Sequence, residues 1–407
     1  MRRAIVAVLL LAWLLRLGWA LGQGHQVDRR LPDQLEYLEL AQNLHSGQGL
    51  FFVDPRFGQA IKAYRMPGYP ALLAALGNNI LLIRIVQATI DTGSVLAAYL
   101  LARRWLAAGP SLAAAAAVAV NPFLVYFSSL LLSETLYVSV VSWALVLLVR
   151  PPGGTGVLPR WFWGIGLLAL GILVRPGSVA LPLLAGMIVA WSGRRDVAPG
   201  RRFPAWAGAL LLTGLVLLPW AWRNQRVLGH WVWLTTNGGA TLYDGFNPQA
   251  TGASDQRFFQ NPQLASLKHM SEYQRHRELL RRSRQWITHA ARHDPQRLWS
   301  LTLAKIARTW SPLPLSADYG GRALYRWAAA TYSIPLCLLF VAGLGLGRLP
   351  RPAKLLLALT AAYLTLAHAL SVGSLRYRLP AETPMAVVAA SMLVGRAASA
   401  KSIRDCP

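Results

Sequence analysis

The chain has 407 residues and a formal net charge of +25, yet only 14% of its residues are charged while 54% are hydrophobic. A soluble domain of that size needs more charge to cover its surface, so a soluble globular protein is excluded. Apolar runs of about 16–22 residues recur, long enough to cross a bilayer core as helix, and no ladder of short alternating strands points to a membrane barrel. The expectation is an all-α polytopic membrane protein.

Ten spans are expected, at roughly 4–22, 83–102, 111–127, 134–149, 161–175, 177–192, 205–222, 327–346, 354–372 and 383–399. The first opens with Arg2 and Arg3, but Arg16 interrupts its core and no A-x-A site follows. A retained anchor is therefore expected rather than a cleaved signal peptide. With the N-terminus cytoplasmic, the inner connections collect Arg103, Arg104, Arg150, Arg160, Arg194, Arg195, Arg201, Arg202, Arg348, Arg351 and Lys354, with Arg396, Lys401 and Arg404 after the last span. The short outer turns hold only Arg175 in one and Arg376 with Arg378 in another. This is the positive-inside bias, and it places the protein in the cell inner (plasma) membrane with two long loops, 23–82 and 223–326, outside the cytoplasm. The second loop is also very basic, but long loops translocate largely regardless of charge. The expected organisation is an N-terminal membrane module (1–222) carrying the first loop, a second large loop (223–326) with interfacial helices, and C-terminal spans (327–407). Cys337 falls inside a span and Cys406 at the C-terminus, so no disulfide is expected, and no Cys/His spacing marks a metal site.

In the first loop, LPDQLEYLELAQNL (31–44) has three acids and no base. Pro32 suits a first helical turn, and Asp33, Glu36 and Tyr37 then stand at i, i+3 and i+4 on one face. Leu40 and Leu44 continue that face, while Glu39 is expected to be merely solvated. Acids in a first turn also favour the positive end of the helix dipole, which is the bland alternative. Downstream, AYRMPGYPALLAAL places Arg65 just before a tight Pro67-Gly68 entry into a helix. Arg65 could grip a phosphate through its planar fork or simply snorkel to headgroups. Asp91, inside the second span, is either functional or a hydrogen-bonding partner for a neighbouring helix.

Glu134 follows the short Ser128–Ser133 hairpin, which delivers it to the outer face, where it either takes part in chemistry or caps its helix with Ser133. Arg175-Pro176 and Arg376-Tyr377-Arg378 stand at outer span ends, each a phosphate ligand or an interfacial snorkeller. In the long loop, TTNGGATLYDGFNPQATG (235–252) is expected to be irregular, with Asn237, Tyr243 and Asp244 as either cleft or turn residues. Residues 264–292 read as a basic helix. Asp294 and Pro295 then cap a further helix that turns Lys305 and Arg308 to its polar side, as for a helix lying among headgroups. Basic charge with aromatics can mark nucleic-acid binding, but here it is spread over span ends without a groove-reading motif, and that reading is rejected.

These segments together resemble the GT-C superfamily of membrane glycosyltransferases, within it the protein O-mannosyltransferase, aminoarabinose transferase and RgtA/B/C/D-like group. The resemblance lies in the D-x-x-x-Y of the first loop, the R-x-P-G-Y-P turn, NPFLVYFSSLLLSETLY (121–137), LVRPGSVALPL (173–183), the entry to the long loop at 219–248, and RYRLPAETP (376–384). It covers most of the chain in order. It departs at Asp33-Gln34, where several relatives have two adjacent acids.

The resemblance implies a GT-C-type fold and transfer of a sugar from a polyprenyl-phosphate donor to a glycan, lipid or protein acceptor outside the cytoplasm, by one inverting displacement. It implies Asp33 as base with Glu134 beside it, and Arg65, Arg175, Arg376 and Arg378 on the donor phosphate. Glu36, Tyr37, Tyr69, Asn237 and Asp244 are the candidate substrate contacts. No cofactor is certain; a divalent cation held by carboxylates stays open. The alternative is a transporter or flippase of lipid-linked sugars, which should show repeat symmetry and mid-span charge. A non-catalytic binder of lipid-linked glycans is a weaker reading, because such a protein need not keep Asp33 and Glu134.

Overall fold

A computed structural model describes residues 2–149, 157–192, 203–315 and 322–393. The bases expected at positions 150, 194, 195, 201, 202, 396, 401 and 404, the side chain of Arg160, and Cys406 lie outside the described residues. Among the described residues, five helices are long and apolar enough to cross a membrane: α1 (Arg2–Gly22), α4 (Ile80–Ala102), the Trp206–Leu228 part of α10 (Phe203–Leu228), α14 (Ala323–Leu346) and α15 (Arg351–Ala369). At a rise of about 1.5 Å per residue, each reaches about the thickness of a hydrocarbon core. Shorter apolar helices occupy the other expected span positions: α5 (Ala108–Ala119), α7 (Glu134–Leu148), α8 (Val157–Ile172), α9 (Leu181–Ser192) and α16 (Leu379–Ala390). The protein is an all-α polytopic membrane protein.

Two spans differ from expectation for local reasons. The segment expected at 111–127 breaks at Asn121-Pro122. There Asn121 caps a new short helix, α6 (Pro122–Phe127), by accepting from the backbone N–H groups of Phe123 (2.9 Å) and Leu124 (3.2 Å). Proline at the first helical position costs α6 nothing but ends α5. The last segment is α16, buried at every position. A helix buried on every side belongs inside a bundle, and α16 packs against α14, α15, α5, α7 and α4.

An ion pair joins two helices inside this bundle. Arg16 of α1 meets Asp91 of α4 at 2.5 Å and donates to the carbonyls of Ala119 (2.8 Å) and Val118 (3.0 Å). These are orphan carbonyls at the negative end of α5, where a guanidinium satisfies both hydrogen bonding and helix dipole. Asp91 thus has the interhelical partner that was one of its two expected roles, and Arg16 is a structural clamp.

On the face that carries the two long loops, the first loop forms α2 (Pro32–His45), a small antiparallel hairpin of β1 (Phe52–Asp54) and β2 (Gln59–Ile61), and α3 (Gly68–Ala75). Glu39 is more than solvated: it accepts the N–H of Val53 at 2.8 Å, tying α2 to β1. The second loop forms α11 (Asn237–Gly245), α12 (Glu272–His293) and α13 (Pro295–Thr309). A helix at α11 overturns the expected irregular turn. Gly239 lies against the backbone of His276, leaving no room for a Cβ, so glycine here serves close helix packing rather than a turn. The helix expected from 264 begins later, after a 3₁₀ stretch, at a capping box of Ser271 and Gln274. Asp294 caps α13 as expected. Lys305, however, is fully buried, with its Nζ 3.1 Å from the ring centroid of Phe246, not on a polar face.

The two long loops are tied together by Glu272. Its carboxylate accepts the backbone N–H groups of Lys62 (2.6 Å) and Ala63 (2.9 Å) and the hydroxyl of Thr236 (2.5 Å). Arg223, at the end of α10, adds donations to the carbonyls of Lys62 (2.5 Å) and Leu50 (2.7 Å). The chain just before Arg65 is thereby fixed from both sides.

Candidate active site

The first turn of α2 projects Asp33, Glu36 and Tyr37 to one side, as the helical period requires. Across from them the Arg65 guanidinium meets Asp33 Oδ1 at 2.7 Å and Glu36 Oε2 at 2.5 Å. The rings of Tyr37 and Tyr64 each lie 5.3 Å from the Arg65 guanidinium carbon, bracketing the cation. The other oxygen of Asp33 accepts from Arg376 Nη1 at 2.9 Å. Arg376 Nε in turn lies 3.6 Å from Glu134 Oε1, and Arg175 Nη1 pairs with the same oxygen at 2.8 Å. Three acids and three arginines from the first loop, the 128–134 hairpin and two turns between helices form one continuous cluster.

Local packing brings those turns together. The N–H of Gly68 donates to the carbonyl of Leu173 at 2.8 Å, and a Cβ at Gly68 would itself sit 2.8 Å from that oxygen. Only glycine lets the Arg65 turn approach the Arg175 turn this closely. Gln34 explains the departure from two adjacent acids. It is fully buried, accepts the N–H of Leu131 at 2.8 Å and donates to the carbonyl of Asp28 at 3.2 Å. An amide can do both, and a carboxylate can only accept. This contact seats the hairpin that carries Glu134.

Burial pushes the Asp33 carboxyl upward, but Arg65 and Arg376 outweigh it and hold the group below the usual carboxylate range. For Glu36 burial prevails over Arg65, and the negative charge of Asp33 adds to the rise. The neighbouring carboxyls of α2 are thereby separated: Asp33 is firmly ionised and Glu36 is the weaker acid.

Asp33, Arg65, Glu134, Arg175 and Arg376 line a cavity of about 710 Å³, as do Tyr37, Asn237 and Asp244. Asp244 is partly committed to its own loop, accepting from the Ser254 hydroxyl (2.7 Å) and the Asp255 N–H (2.8 Å). Three expected members are not among its lining residues: Glu36, which stays on Arg65, and two that lie elsewhere. Arg378 is 1% exposed and faces the helix bundle, paired with Glu382 at 2.9 Å and donating to Ser333 Oγ (2.9 Å) and the Ser311 carbonyl (2.7 Å). Tyr69 is fully buried behind Tyr37, its hydroxyl donating to Gln87 Oε1 at 2.5 Å. Gln87 in turn holds the carbonyls of Ser128 and Leu130, so Tyr69 braces the hairpin from behind.

Sequence reasoning passed over Tyr377, although it lies within the RYR motif. Its ring stacks on His368 with centroids 3.9 Å apart, and the guanidinium carbons of Arg175 and Arg376 lie 5.4 and 5.1 Å from it. Tyr377 is a platform under two of the three ion-paired cavity arginines. Trp231, Trp233, His276 and Arg277 also line the cavity. The aromatic density of HWVW at the exit of a span was the available signal for the first two.

Among the described residues no three His, Cys, Asp or Glu side chains gather as metal ligands. The cavity carboxylates Asp33 and Glu134 face guanidinium groups instead. This donor set does not fit a divalent cation.

The fold and this cluster define a polytopic helical membrane protein with a charged site at one end of its helix bundle. No family model and no curated protein sequence matches the chain. Among solved structures, it is similar to the archaeal oligosaccharyltransferase AglB from Archaeoglobus fulgidus, in complex with an inhibitory peptide and a dolichol-phosphate. That overlay has a TM-score of 0.55 at 12% identity, covering 99% of this chain and 52% of that one. The Archaeoglobus fulgidus oligosaccharyltransferase tethered to an acceptor peptide overlays with a TM-score of 0.53 at 15% identity, covering 95% and 49%. The chain spans about half the length of these solved chains. The likeness is one of fold, and the fold is the GT-C type.

Proposed function

We propose that the protein is a membrane glycosyltransferase that moves a sugar from a polyprenyl-phosphate donor to an acceptor on the extracytoplasmic face, with inversion at the anomeric carbon. The convergence of Asp33 and Glu134 with Arg65, Arg175 and Arg376 on one cavity at the ends of apolar helices carries this reading. The two solved structures compared above are oligosaccharyltransferases by name, and one holds a dolichol-phosphate. Three guanidiniums suit a phosphate, which they can hold through forked, charge-assisted hydrogen bonds. They are poised by the carboxylates and exchange those partners for phosphate oxygens when the donor enters.

In the reaction, the acceptor oxygen forms a bond to the anomeric carbon while the bond from that carbon to the phosphate oxygen breaks. The electron pair leaves with the polyprenyl phosphate, and the proton of the acceptor hydroxyl passes to Asp33. Because phosphate departs as a stabilised anion, Arg175 and Arg376 serve the leaving group where a general acid would otherwise be needed. Arg65 and Arg376 hold Asp33 ionised but weakly basic before the donor arrives. Their transfer to the phosphate releases that restraint and raises the basicity of Asp33 at the moment it is used. Glu134 keeps Arg175 and Arg376 side by side.

The test is transfer from a radiolabelled polyprenyl-phosphate sugar by purified protein in lipid nanodiscs. Asp33→Asn keeps the hydrogen-bond acceptor but removes the base, and is expected to lower turnover about 100- to 10,000-fold. Full turnover in a folded Asp33→Asn variant overturns the assignment of the base. Sugar movement across proteoliposomes with no glycosidic bond formed overturns the transferase reading itself.

A further inference from the structure

The cavity has a second wall that the chemistry above does not use. It is built from the chain leaving α10 and from the first turns of α12. Trp231 and Trp233, alternate residues of an unwound segment, stack with ring centroids 6.1 Å apart and an interplanar angle of 23°. Both line the cavity, yet they remain 53% and 48% exposed, and their indole N–H groups have no partner among the described residues. Beside them Tyr273 stacks on His230 at 3.9 Å, which fixes the face that Tyr273 presents to the cavity. His276 Nδ1 lies within hydrogen-bond reach of the backbone at Thr236 O (2.9 Å) and Gly239 N (3.0 Å), so the ring is anchored by its inner edge.

Charge distinguishes this wall from the rest of the cavity. Four arginines line the cavity as a whole, and three of them (Arg65, Arg175 and Arg376) are ion-paired with Asp33, Glu36 or Glu134. Arg277 also lines the cavity and has no hydrogen-bond or ion-pair partner among the described residues. Its neighbours on α12, Arg281 and Arg282, are both spent on Glu278. An unpaired guanidinium lining the same cavity as aromatic faces and free indole N–H groups fits one chemistry: a sugar ring bearing an acidic group. The apolar C–H face of the ring lies on the indoles, its hydroxyls meet the N–H donors, and its phosphate or carboxylate meets Arg277. Position supplies the second half of the argument. Trp231 and Trp233 follow directly on the long apolar helix α10 at Leu228, and Trp222 near its end is 53% exposed. That is the level at which indoles sit at a membrane surface.

We propose that the Trp231–Trp233–Arg277 wall is the acceptor subsite, and that it takes the acidic sugar headgroup of a glycolipid presented at the membrane surface. This rests on the transferase reading, since it names the acceptor class for the same cavity. Arg277 is here a specificity-determining residue and stands outside the cluster around Asp33.

The test measures binding without donor, in nanodiscs of neutral lipid, by isothermal titration with dodecyl glucuronide, dodecyl glucoside and methyl glucuronide. Wild-type protein is expected to prefer the dodecyl glucuronide over the dodecyl glucoside by about tenfold, the scale of one charge-assisted contact. Arg277→Gln is expected to remove that preference and Arg277→Lys to keep part of it. Trp231→Ala with Trp233→Ala is expected to weaken both dodecyl glycosides alike. Titration with polyprenyl phosphate reports folding and the donor end in every variant, and Arg277→Gln is expected to leave it unchanged. Absence of acidic preference in the wild type, or its persistence in Arg277→Gln, overturns the subsite. Equal affinity for methyl and dodecyl glucuronide overturns presentation by a lipid. Sugar transfer onto neutral acceptors with Arg277→Gln silent defeats the subsite and leaves the transferase reading standing. Acidic preference without any sugar transfer does the reverse.

Discussion

Arg376 Nη1 donates to Asp33 Oδ2 at 2.9 Å across 343 residues of chain. With Arg65 on the other oxygen at 2.7 Å, the Asp33 carboxylate is held at both ends by guanidiniums from different loops. The acid proposed as base and the cations proposed for the phosphate therefore position one another, and perturbing either must be read in both.

Arg376→Gln removes one of the guanidiniums proposed to hold the donor phosphate by charge-assisted contacts. An expected loss of about 10- to 100-fold in kcat/KM for the donor follows from the usual strength of such contacts. The same change lifts one of the two restraints that hold the Asp33 carboxyl low. Burial then raises it, so the acidic limb of the rate profile, where the base becomes protonated, is expected to move to higher pH. A pH profile of kcat/KM for both proteins checks the sign.

Glu36 sits one helical turn from Asp33 but binds Arg65 only, and burial leaves it the weaker acid of the two. Glu36→Gln is expected to cost less than about tenfold in turnover, because an amide oxygen can still accept from Arg65. Side-by-side turnover of Glu36→Gln and Asp33→Asn decides which carboxylate takes the proton.

Lys305 is buried against Phe246 with no hydrogen-bond partner for its amine among the described residues. Burial depresses its pKa from 10.5 to about 7, against the attraction of Asp244. Between those values the unfolded chain carries a proton that the folded chain lacks, so this residue makes stability rise with pH from about 7 to 10.5 and level off outside that window. Lys305→Met is expected to flatten the rise and to stabilise the protein at neutral pH. Melting temperatures in detergent across that range are the measurement.

Arg378 and Glu382 form an ion pair with each side chain only 1% exposed. Arg378→Met alone strands a buried carboxylate, at an expected cost of about 3–5 kcal/mol. Adding Glu382→Gln is expected to recover much of that loss, since the remaining amide needs only hydrogen bonds. A double-mutant cycle of thermal stability gives the coupling. The folded double variant is expected to bind polyprenyl phosphate as the wild type does, because Arg378 lies off the cavity.

Arg376 and Arg378 show where sequence reading stops. Both stand at one span end and are two residues apart, so residue type and position treat them alike. They occupy a 3₁₀ turn, Leu375–Arg378, with about three residues per turn, which turns neighbours two apart to different sides. One guanidinium meets Asp33 across the cavity, and the other enters the bundle to meet Glu382. Tyr69 and Tyr377 divide the same way, one filling space behind the hairpin and the other supporting two arginines.

What the sequence by itself determined was whatever depends on local chemistry and period: the apolar helices, the shared face of Asp33, Glu36 and Tyr37, the cap at Asp294, and the basic, aromatic character of the second long loop. These follow from hydropathy, helical geometry and backbone hydrogen bonding over a few residues. Only the tertiary structure decided which charges meet. The partners of Arg65, Arg175, Arg376, Arg16 and Glu272 come from segments far apart in the chain, and a buried charge is defined by its partner, because desolvation leaves an ion no other way to remain charged.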